Sequence, residues 1–295
     1  MKLTATFPAA VFLLILGLAA QAPAEDYDAR LSTFTGTVDV LAAGETDSWR
    51  EAEEDMPLSA GDKVRTGEDS TAEITLDGGA VIALGASSES DISSLEPASS
   101  SFFLRFGSLV AKVKGLLKAG QRFGVRTPAA VCAIRGTEFG VEHDAAGGET
   151  TAGVFDEGSL SVSSLDQEGK TTAEGTVEKG DEVSLRAGAR ELKPGRMRRL
   201  MRHRKALLGA RGRLDKLGRN WKRLTHEKRE ELRKRFMQRK AFRGQRAKRG
   251  AARAQGPGKE GKPGMAPRPE GERGEKTKKR APLRRAVKNR RDGNR

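Results

Sequence analysis

Between Leu31 and about Arg186 the chain alternates apolar and polar residues over short runs rich in Val and Thr, punctuated by Gly and Asp-Gly. A period of two marks strands with one face in a core, so this region reads as all β. The clearest hairpin is Thr71-Ala-Glu-Ile74-Thr-Leu76, then Asp77-Gly78-Gly79, then Ala80-Val-Ile82-Ala-Leu84. Its turn residues tolerate the positive φ that tight hairpin turns demand. Ile74 and Leu76 are expected to face the core, Glu73 and Thr75 to face water. Ser87-Ser88-Glu89-Ser90 and Ser99-Ser100-Ser101 read as linkers between strands.

A small unit recurs within this region. Gly36-Thr-Val38, Gly107-Ser-Leu109 and Gly158-Ser-Leu160 each place an aliphatic two residues after a glycine, and Gly61-Asp62-Lys-Val64 returns as Gly180-Asp181-Glu-Val183. Repeated turn-plus-strand units suggest either stacked, solenoid-like β coils or a sandwich built from similar turns. The plainer reading is that Gly-x-aliphatic opens many strands. Pro128 lacks an amide donor, so Thr127-Pro128 should mark where the chain enters Ala130 to Ile134. After Arg135 and a turn at Gly136, Phe139 and Val141 re-enter the core.

After Leu192-Lys-Pro194-Gly195 the pattern changes to Arg, Lys, Leu and Ala. Leu200, Leu207, Leu214 and Trp221 are seven apart, with Ala210, Leu217 and Leu224 at companion positions, the spacing of a coiled-coil stripe from Arg196 to Leu224. Gly209, Gly212 and Gly218 weaken that helix by about 1 kcal/mol each, so it needs a docking surface. Thr225 is a candidate N-cap for a second helix, His226 to about Arg249, with Glu227, Glu230 and Glu231 near the positive end of its dipole. The basic segment 196–249 thus reads as a helical pair. Residues 250–295 hold too little apolar surface to offset chain entropy and are expected to be disordered.

Charge divides at the same place. Up to Arg190 there are 16 basic and 30 acidic residues, a balance of −14; beyond it there are 39 basic and 10 acidic, a balance of +29. At the other end, Lys2 precedes an apolar stretch from Phe7 to Ala20, and Ala22-Pro23-Ala24 offers the small residues of a cleavage site. Residues 1–24 therefore read as a signal peptide, and the protein as exported to a periplasm or beyond. The alternative is an inner-membrane anchor through uncleaved residues 7–20, which are short for ~30 Å of hydrocarbon.

Candidate chemistry is sparse. With three histidines and one cysteine, a Cys/His zinc site and an intramolecular disulfide are excluded. His143 reads as a solvated residue at a strand end, and Cys132 as a small buried hydrophobe. Glu51, Glu53, Glu54 and Asp55 lack the spacing of a calcium loop and read as a solvated cluster. No nucleophile stands with a base and an orienting group. No enzyme activity, no catalytic residue, no metal and no cofactor are expected.

The segment LSAGDKVRTGEDSTAEITLDGGAVIALGASSE, followed by FFLRFGSLVAKV, VRTPAAVCAIRGTEFGV and VFDEGSLSV, resembles the FecR domain family over about Leu31 to Leu185. Gly61, Asp62, Val64, Thr66, Gly67, Thr127, Pro128, Arg135, Gly136, Thr137, Phe139 and Gly158 occupy the family's pattern positions, and Cys132 stands where a small apolar residue is usual. The resemblance implies a FecR-type β domain, at 31–186 here, that works by protein contact in extracytoplasmic signalling or scaffolding. Family members of the best-known kind join such a domain to a cytoplasmic segment that controls a sigma factor. Only Met1 to Thr6 precede the apolar run, and basic sequence follows the β region, so a free-standing exported domain is expected instead. Arg135 is either an exposed recognition residue or a guanidinium that satisfies a crowded turn.

The expected partner is an unidentified envelope protein. For the tail, three readings stand. It grips an anionic membrane, lipopolysaccharide or cell-wall polymer, it binds nucleic acid, or it folds back on the acidic body. In the first, Arg198, Arg199, Arg202, Arg204, Lys205, Lys222, Arg223, Arg233, Lys234, Arg235, Lys278, Lys279 and Arg280 are the candidate polyanion-binding residues.

Overall fold

The computed structural model describes residues 26–77, 79–113, 121–135, 138–206, 208–209, 212 and 221–241. Seventeen strands occur among them: β1 (Ala29–Thr35), β2 (Val38–Leu41), β3 (Arg50–Glu51), β4 (Met56–Leu58), β5 (Lys63–Thr66), β6 (Thr71–Leu76), β7 (Ala80–Leu84), β8 (Glu89–Ser94), β9 (Ser100–Val113), β10 (Phe123–Arg126), β11 (Ala130–Arg135), β12 (Glu138–Asp144), β13 (Glu149–Val154), β14 (Ser159–Leu165), β15 (Thr171–Val177), β16 (Asp181–Arg186) and β17 (Gly195–Arg196). A 3₁₀ turn, Leu200–His203, α-helical residues at 204–206, 208–209 and 212, and the helix α1 (His226–Met237) follow. The protein is mainly β, as its period-two pattern demands.

The strands form two sheets that share β9. The first runs β4-β1-β6-β7-β9-β12-β13-β16-β17. The second runs β3-β2-β5-β8-β9-β10-β11-β14-β15, all antiparallel except β9 with β10. Ser100 to Phe106 pair in the second sheet and Gly107 to Val113 in the first. The crossing is made at Gly107, whose φ of 89° is open to glycine and strained for other residues. A Cβ there would also stand 2.5 Å from Ser88 Cα. The other recurring glycines, Gly36, Gly61, Gly158 and Gly180, likewise have positive φ, so the repeated unit in the sequence is a repeated turn.

One core lies between the sheets. Leu31, Ile74, Ile82, Leu109, Val141 and Val183 from the first meet Val40, Val64, Ile92, Phe102, Val125 and Val162 from the second. Phe102, Phe123 and Phe139 bridge the layers, with ring centroids 5.7 and 6.2 Å apart. Cys132 is wholly buried here, and burial pushes its thiol up to about 12, so it serves as a small hydrophobe.

Several expectations are corrected. Glu73 and Thr75 are buried, not solvated: β6 and β7 are covered on their outer face as well as packed on the inner. Thr75 donates to Ser32 Oγ (2.8 Å), and Ser32 donates to the Glu73 carbonyl (3.1 Å). The Ser87–Ser90 and Ser99–Ser101 runs are not plain linkers, since Glu89, Ser90, Ser100 and Ser101 lie in β8 and β9. Ser88 is fully buried, accepting the Ser108 amide at 2.9 Å. His143 is buried because β12 continues through it and alternation turns it inward; its Nδ1 lies 2.9 Å from Thr150 Oγ1. Burial lowers its pKa against the opposing pull of Asp144 and the Glu149 backbone, which keeps it neutral.

The Arg196 to Leu224 helix forms only in part: among the described residues, 204–206, 208–209 and 212 are helical, and the rest are not. Gly195–Arg196 is a strand, Leu200–His203 is 3₁₀, and Trp221 to Thr225 is not helical. Leu207, Ala210, Leu214 and Leu217, which the expected stripe needs, lie outside the described residues, as do residues 1–24, Gly78 and residues 250–295. The second helix does start at the N-cap Thr225, whose Oγ1 accepts the Lys228 amide at 3.3 Å, but it ends at Met237 rather than near Arg249.

The two glycines Gly107 and Gly148 separate strain from space. Both have positive φ, yet a Cβ at Gly148 would meet no atom within 4 Å. Gly148→Ala is expected to cost about 1–2 kcal/mol, and Gly107→Ala more than about 3 kcal/mol, because backbone as well as side chain must move. Urea unfolding of the two variants checks the ranking; equal losses would contradict the close approach at β9.

Candidate contact surface

The strands of the first sheet send alternate side chains away from the core, and on that outer face polar residues gather. Glu138 and Glu142 on β12, Glu149 on β13 and Glu182 on β16 point there, opposite in phase to Phe139, Val141, Ala152 and Val183. A carboxylate at a partly covered surface needs donors, and the segment that follows the sandwich supplies them.

β17 pairs with β16 at Asp181↔Arg196 and Glu182↔Gly195. The Met197 amide donates to the Gly180 carbonyl at 2.9 Å. The Glu182 carboxylate then accepts three successive amides, Arg198 and Arg199 at 3.0 and 2.9 Å on Oε1 and Leu200 at 3.0 Å on Oε2. Those are the orphan donors at the start of the 3₁₀ turn, so an anion sits where the backbone needs one. Arg199 donates to Glu142 Oε1 through Nε (3.2 Å) and Nη2 (3.0 Å) and also pairs with Glu149. Arg202 and His203 reach Glu142 Oε2, the latter at 3.0 Å. Arg204 grips Asp156 with two contacts of 3.1 Å. Leu200 is fully buried with Ala83, Val110 and Phe155, and Met197 packs beside them.

Magnitudes rank these contacts. Burying Leu200 contributes about 1.5–3 kcal/mol. Arg202 and Arg204 keep much of their side chains in water, so each of their pairs adds about 0–1 kcal/mol. Apolar burial therefore holds the segment, and the guanidinium contacts set where along the face it sits. From there His203, Lys205, Ala206 and Gly209 bound a cleft of about 630 Å³ over the outer faces of β1, β6, β7 and β9, where Glu73 lies.

The chain reaches the opposite edge of the sheet at Trp221. Arg30 stacks over Trp221 at 4.3 Å from the ring centroid. Asp28 accepts from Arg30 (2.5 Å), Arg229 (2.8 Å) and the Leu224 amide (3.2 Å). Asp62, wholly buried, accepts the Ala43 and Ser59 amides at 2.9 and 2.8 Å and both Nη atoms of Arg233 at 2.5 and 3.0 Å. Phe236 is buried against the core, with Arg50 over its ring. Arg239 pairs with Glu53 at 3.0 Å, which removes Glu53 from the acidic cluster expected to be solvated.

The pattern positions named from the sequence serve turns and core. Val64 and Phe139 are in the core; Gly61 and Gly158 turn. Thr66 Oγ1 donates to the Gly85 carbonyl at 2.6 Å and accepts the Ser88 amide at 2.9 Å. Gly67 donates to Thr37. Thr127 Oγ1 accepts the Ala129 and Ala130 amides at 3.2 and 3.0 Å, next to exposed Pro128, where the chain enters β11. Arg135 ends β11, paired with Ser159; its side chain, and Gly136 and Thr137, lie outside the described residues. Residues 62–159 match the model of the family described as FecR protein. This region is a FecR domain.

The family match is narrower than the stretch the sequence motifs suggested, running from just before β5 to the start of β14. Two crystal structures of a proposed anti-sigma factor from Parabacteroides distasonis ATCC 8503 are similar to this chain. One, at 15% identity, has a TM-score of 0.39 with 47% of this chain and 61% of that chain covered. The other, at 14%, has a TM-score of 0.41 with 49% and 64% covered. The chain thus spans less than two thirds of either. No curated protein matches it.

Of the candidate polyanion-binding residues, the FecR domain and its flanking strands engage Arg199, Arg202, Arg204, Arg223, Arg233 and Arg235, the last two through Asp62 and Glu53. Lys222 gives its carbonyl to Arg30, and Lys234 pairs along α1 with Glu230 at 3.6 Å. Arg198 and Lys205 are exposed. Lys278, Lys279 and Arg280 lie outside the described residues. Sequence reasoning missed the acceptors, Asp28, Glu142, Glu149, Asp156 and Glu182; the −14 balance was the only signal of them.

Glu142 makes the contact testable by pH. Burial raises its pKa, but hydrogen bonds from His203, Arg202 and Arg199 and the charge of Arg202 outweigh that and hold it at about 2. A carboxyl held below its ordinary value gives stability that is full above about 4.5 and drains as pH falls toward 2. Glu142→Gln should cost about 1–3 kcal/mol at neutral pH, and its urea-unfolding stability should fall less steeply than the parent's over that acid window. Parallel pH profiles would contradict the assignment.

Proposed function

We propose that this chain is an exported envelope protein whose FecR domain acts by protein contact, in extracytoplasmic signalling or scaffolding, rather than by catalysis. The family match over residues 62–159 carries this reading. The apolar run from Phe7 to Ala20 and the small residues at Ala22 to Ala24 support export. The pattern residues of the domain are spent on turns and core, which fits a scaffold that presents a surface.

The ion pairs of Arg199, Arg204, Arg229 and Arg233 with body carboxylates favour a tail that is in good part a strap on the sandwich. A tether to anionic lipid, lipopolysaccharide or cell-wall polymer then falls to the exposed cations and to residues beyond 241. In a native host, the mature chain should begin at Glu25, fractionate with the periplasm or medium, and crosslink from exposed positions of the sandwich to an envelope protein. An intact Met1 in the membrane fraction would select the anchored form; a cytosolic chain without crosslinks would overturn the proposal.

A further inference from the structure

The contacts of residues 195–204 have the form of linear-motif recognition rather than of core packing. The segment adds a two-residue strand to the exposed edge of β16. It then presents three consecutive amides to one carboxylate, Glu182. One large apolar side chain, Leu200, is fully buried in a pocket with Met197 packed beside it, and basic side chains on either side of Leu200 meet Glu142, Glu149 and Asp156. Strand addition gives register, a side-chain pocket gives affinity, and charge gives selectivity, which is how extended peptides are commonly bound at sheet edges.

The receiving face is shaped for such a visitor. Gly140 and Gly153 sit on the outer side of β12 and β13, and a Cβ at either would press on what now fills the space. At Gly153 it would come within 2.8 Å of the Asp181 carbonyl and 2.9 Å of Met197 Cε; at Gly140 it would meet Phe155 at 3.2 Å and Val110 at 3.3 Å, both side chains of the sandwich itself. The missing side chain at Gly153 thus leaves room for Met197 beside Glu182. Beside it Phe155, Asp156, Gly180, Asp181, Met197 and Arg204 line a further hollow of about 460 Å³. Acidic groups ring an apolar slot; the occupant they suit is basic with one aliphatic anchor.

We propose that this face is a receptor site for an arginine-rich extended segment of a partner protein, with an anchor of leucine size, and that residues 195–204 are a resident competitor. The site rests on the protein-contact reading above and specifies the partner's chemistry. Partner and resident compete for the same carboxylates, so access depends on how often the resident leaves. A tethered competitor acts at high effective concentration, and the partner's apparent affinity falls by the fraction of sites left open.

The test uses the full mature chain and a labelled synthetic peptide of residues 195–204. Weakening the resident by Leu200→Ala with Arg199→Ala should tighten peptide binding, read by fluorescence anisotropy at low salt, by at least about tenfold over the parent. Adding Glu182→Gln and Glu142→Gln to that variant should abolish the gain, as should Leu-to-Ala in the peptide. Circular dichroism and urea unfolding report whether the variants fold. If they do not, excess peptide on the parent chain should speed amide hydrogen exchange at Arg198, Arg199 and Leu200. Equal binding to parent and variant, binding that survives loss of both carboxylates, self-association of the variant in place of peptide binding, or unchanged exchange would overturn the site. Envelope crosslinks that persist despite such a result would leave the broader function standing.

Discussion

A carboxylate that leaves water must find donors, and the first sheet of this protein turns several carboxylates toward a covered face. Glu142 is nearly buried, Asp28 more so, and Asp62 wholly. Backbone amides satisfy part of Asp62 and Asp28, but the remaining charge is met by Arg233, Arg229 and, at Glu142, by Arg199 and Arg202. At the most covered of these pairs, Asp62 with Arg233, removing one partner leaves the other charge stranded, at a cost of about 3–5 kcal/mol. The acidic sandwich and the first part of the basic sequence are therefore one structure, and the split between −14 and +29 is the mark of that mutual dependence.

The FecR domain sits at the middle of this arrangement. β9 passes from one sheet to the other at Gly107, so both layers hang on one strand, and Phe102, Phe123 and Phe139 fix their separation. The inner face is mainly aliphatic and aromatic, and its polar members include a thread of His143, Thr150 and Thr127. The outer face of the first sheet is the chemically varied one. Its glycines, carboxylates and small apolar residues belong to a surface that receives a chain.

Much of this was legible in the residues. Alternation identified the β6–β7 hairpin, the glycine-led units proved to be positive-φ turns, and Thr225 announced the start of α1. Alternation failed on which face meets water: Glu73 and Thr75 have the pattern of solvated positions, yet both are buried, and His203, Lys205, Ala206 and Gly209, more than a hundred residues later, wall the cleft at Glu73. A period of two reports that the faces differ, not that one is wet. His143 does stand next to the end of β12, as its neighbours Glu142 and Asp144 suggest, but alternation turns it inward and it is buried rather than solvated.

The tail was the harder part. The seven-residue spacing of Leu200, Leu207, Leu214 and Trp221 matches a helical stripe, but Leu200 and Trp221 are used separately, one in a pocket of Ala83 on β7, Val110 on β9 and Phe155 just after β13, and the other under Arg30. Arginine favours a helix, but the amides of Arg198, Arg199 and Leu200 are claimed by Glu182, and tertiary contacts decide. Limited trypsin digestion of the native chain examines the central claim directly, since residues 196–204 carry five arginines. The strap predicts that the peptide bonds after Arg198, Arg199 and Arg202 resist cleavage as long as the sandwich stays folded. Rapid cuts there, releasing a stable folded body that ends near Arg190, would contradict it.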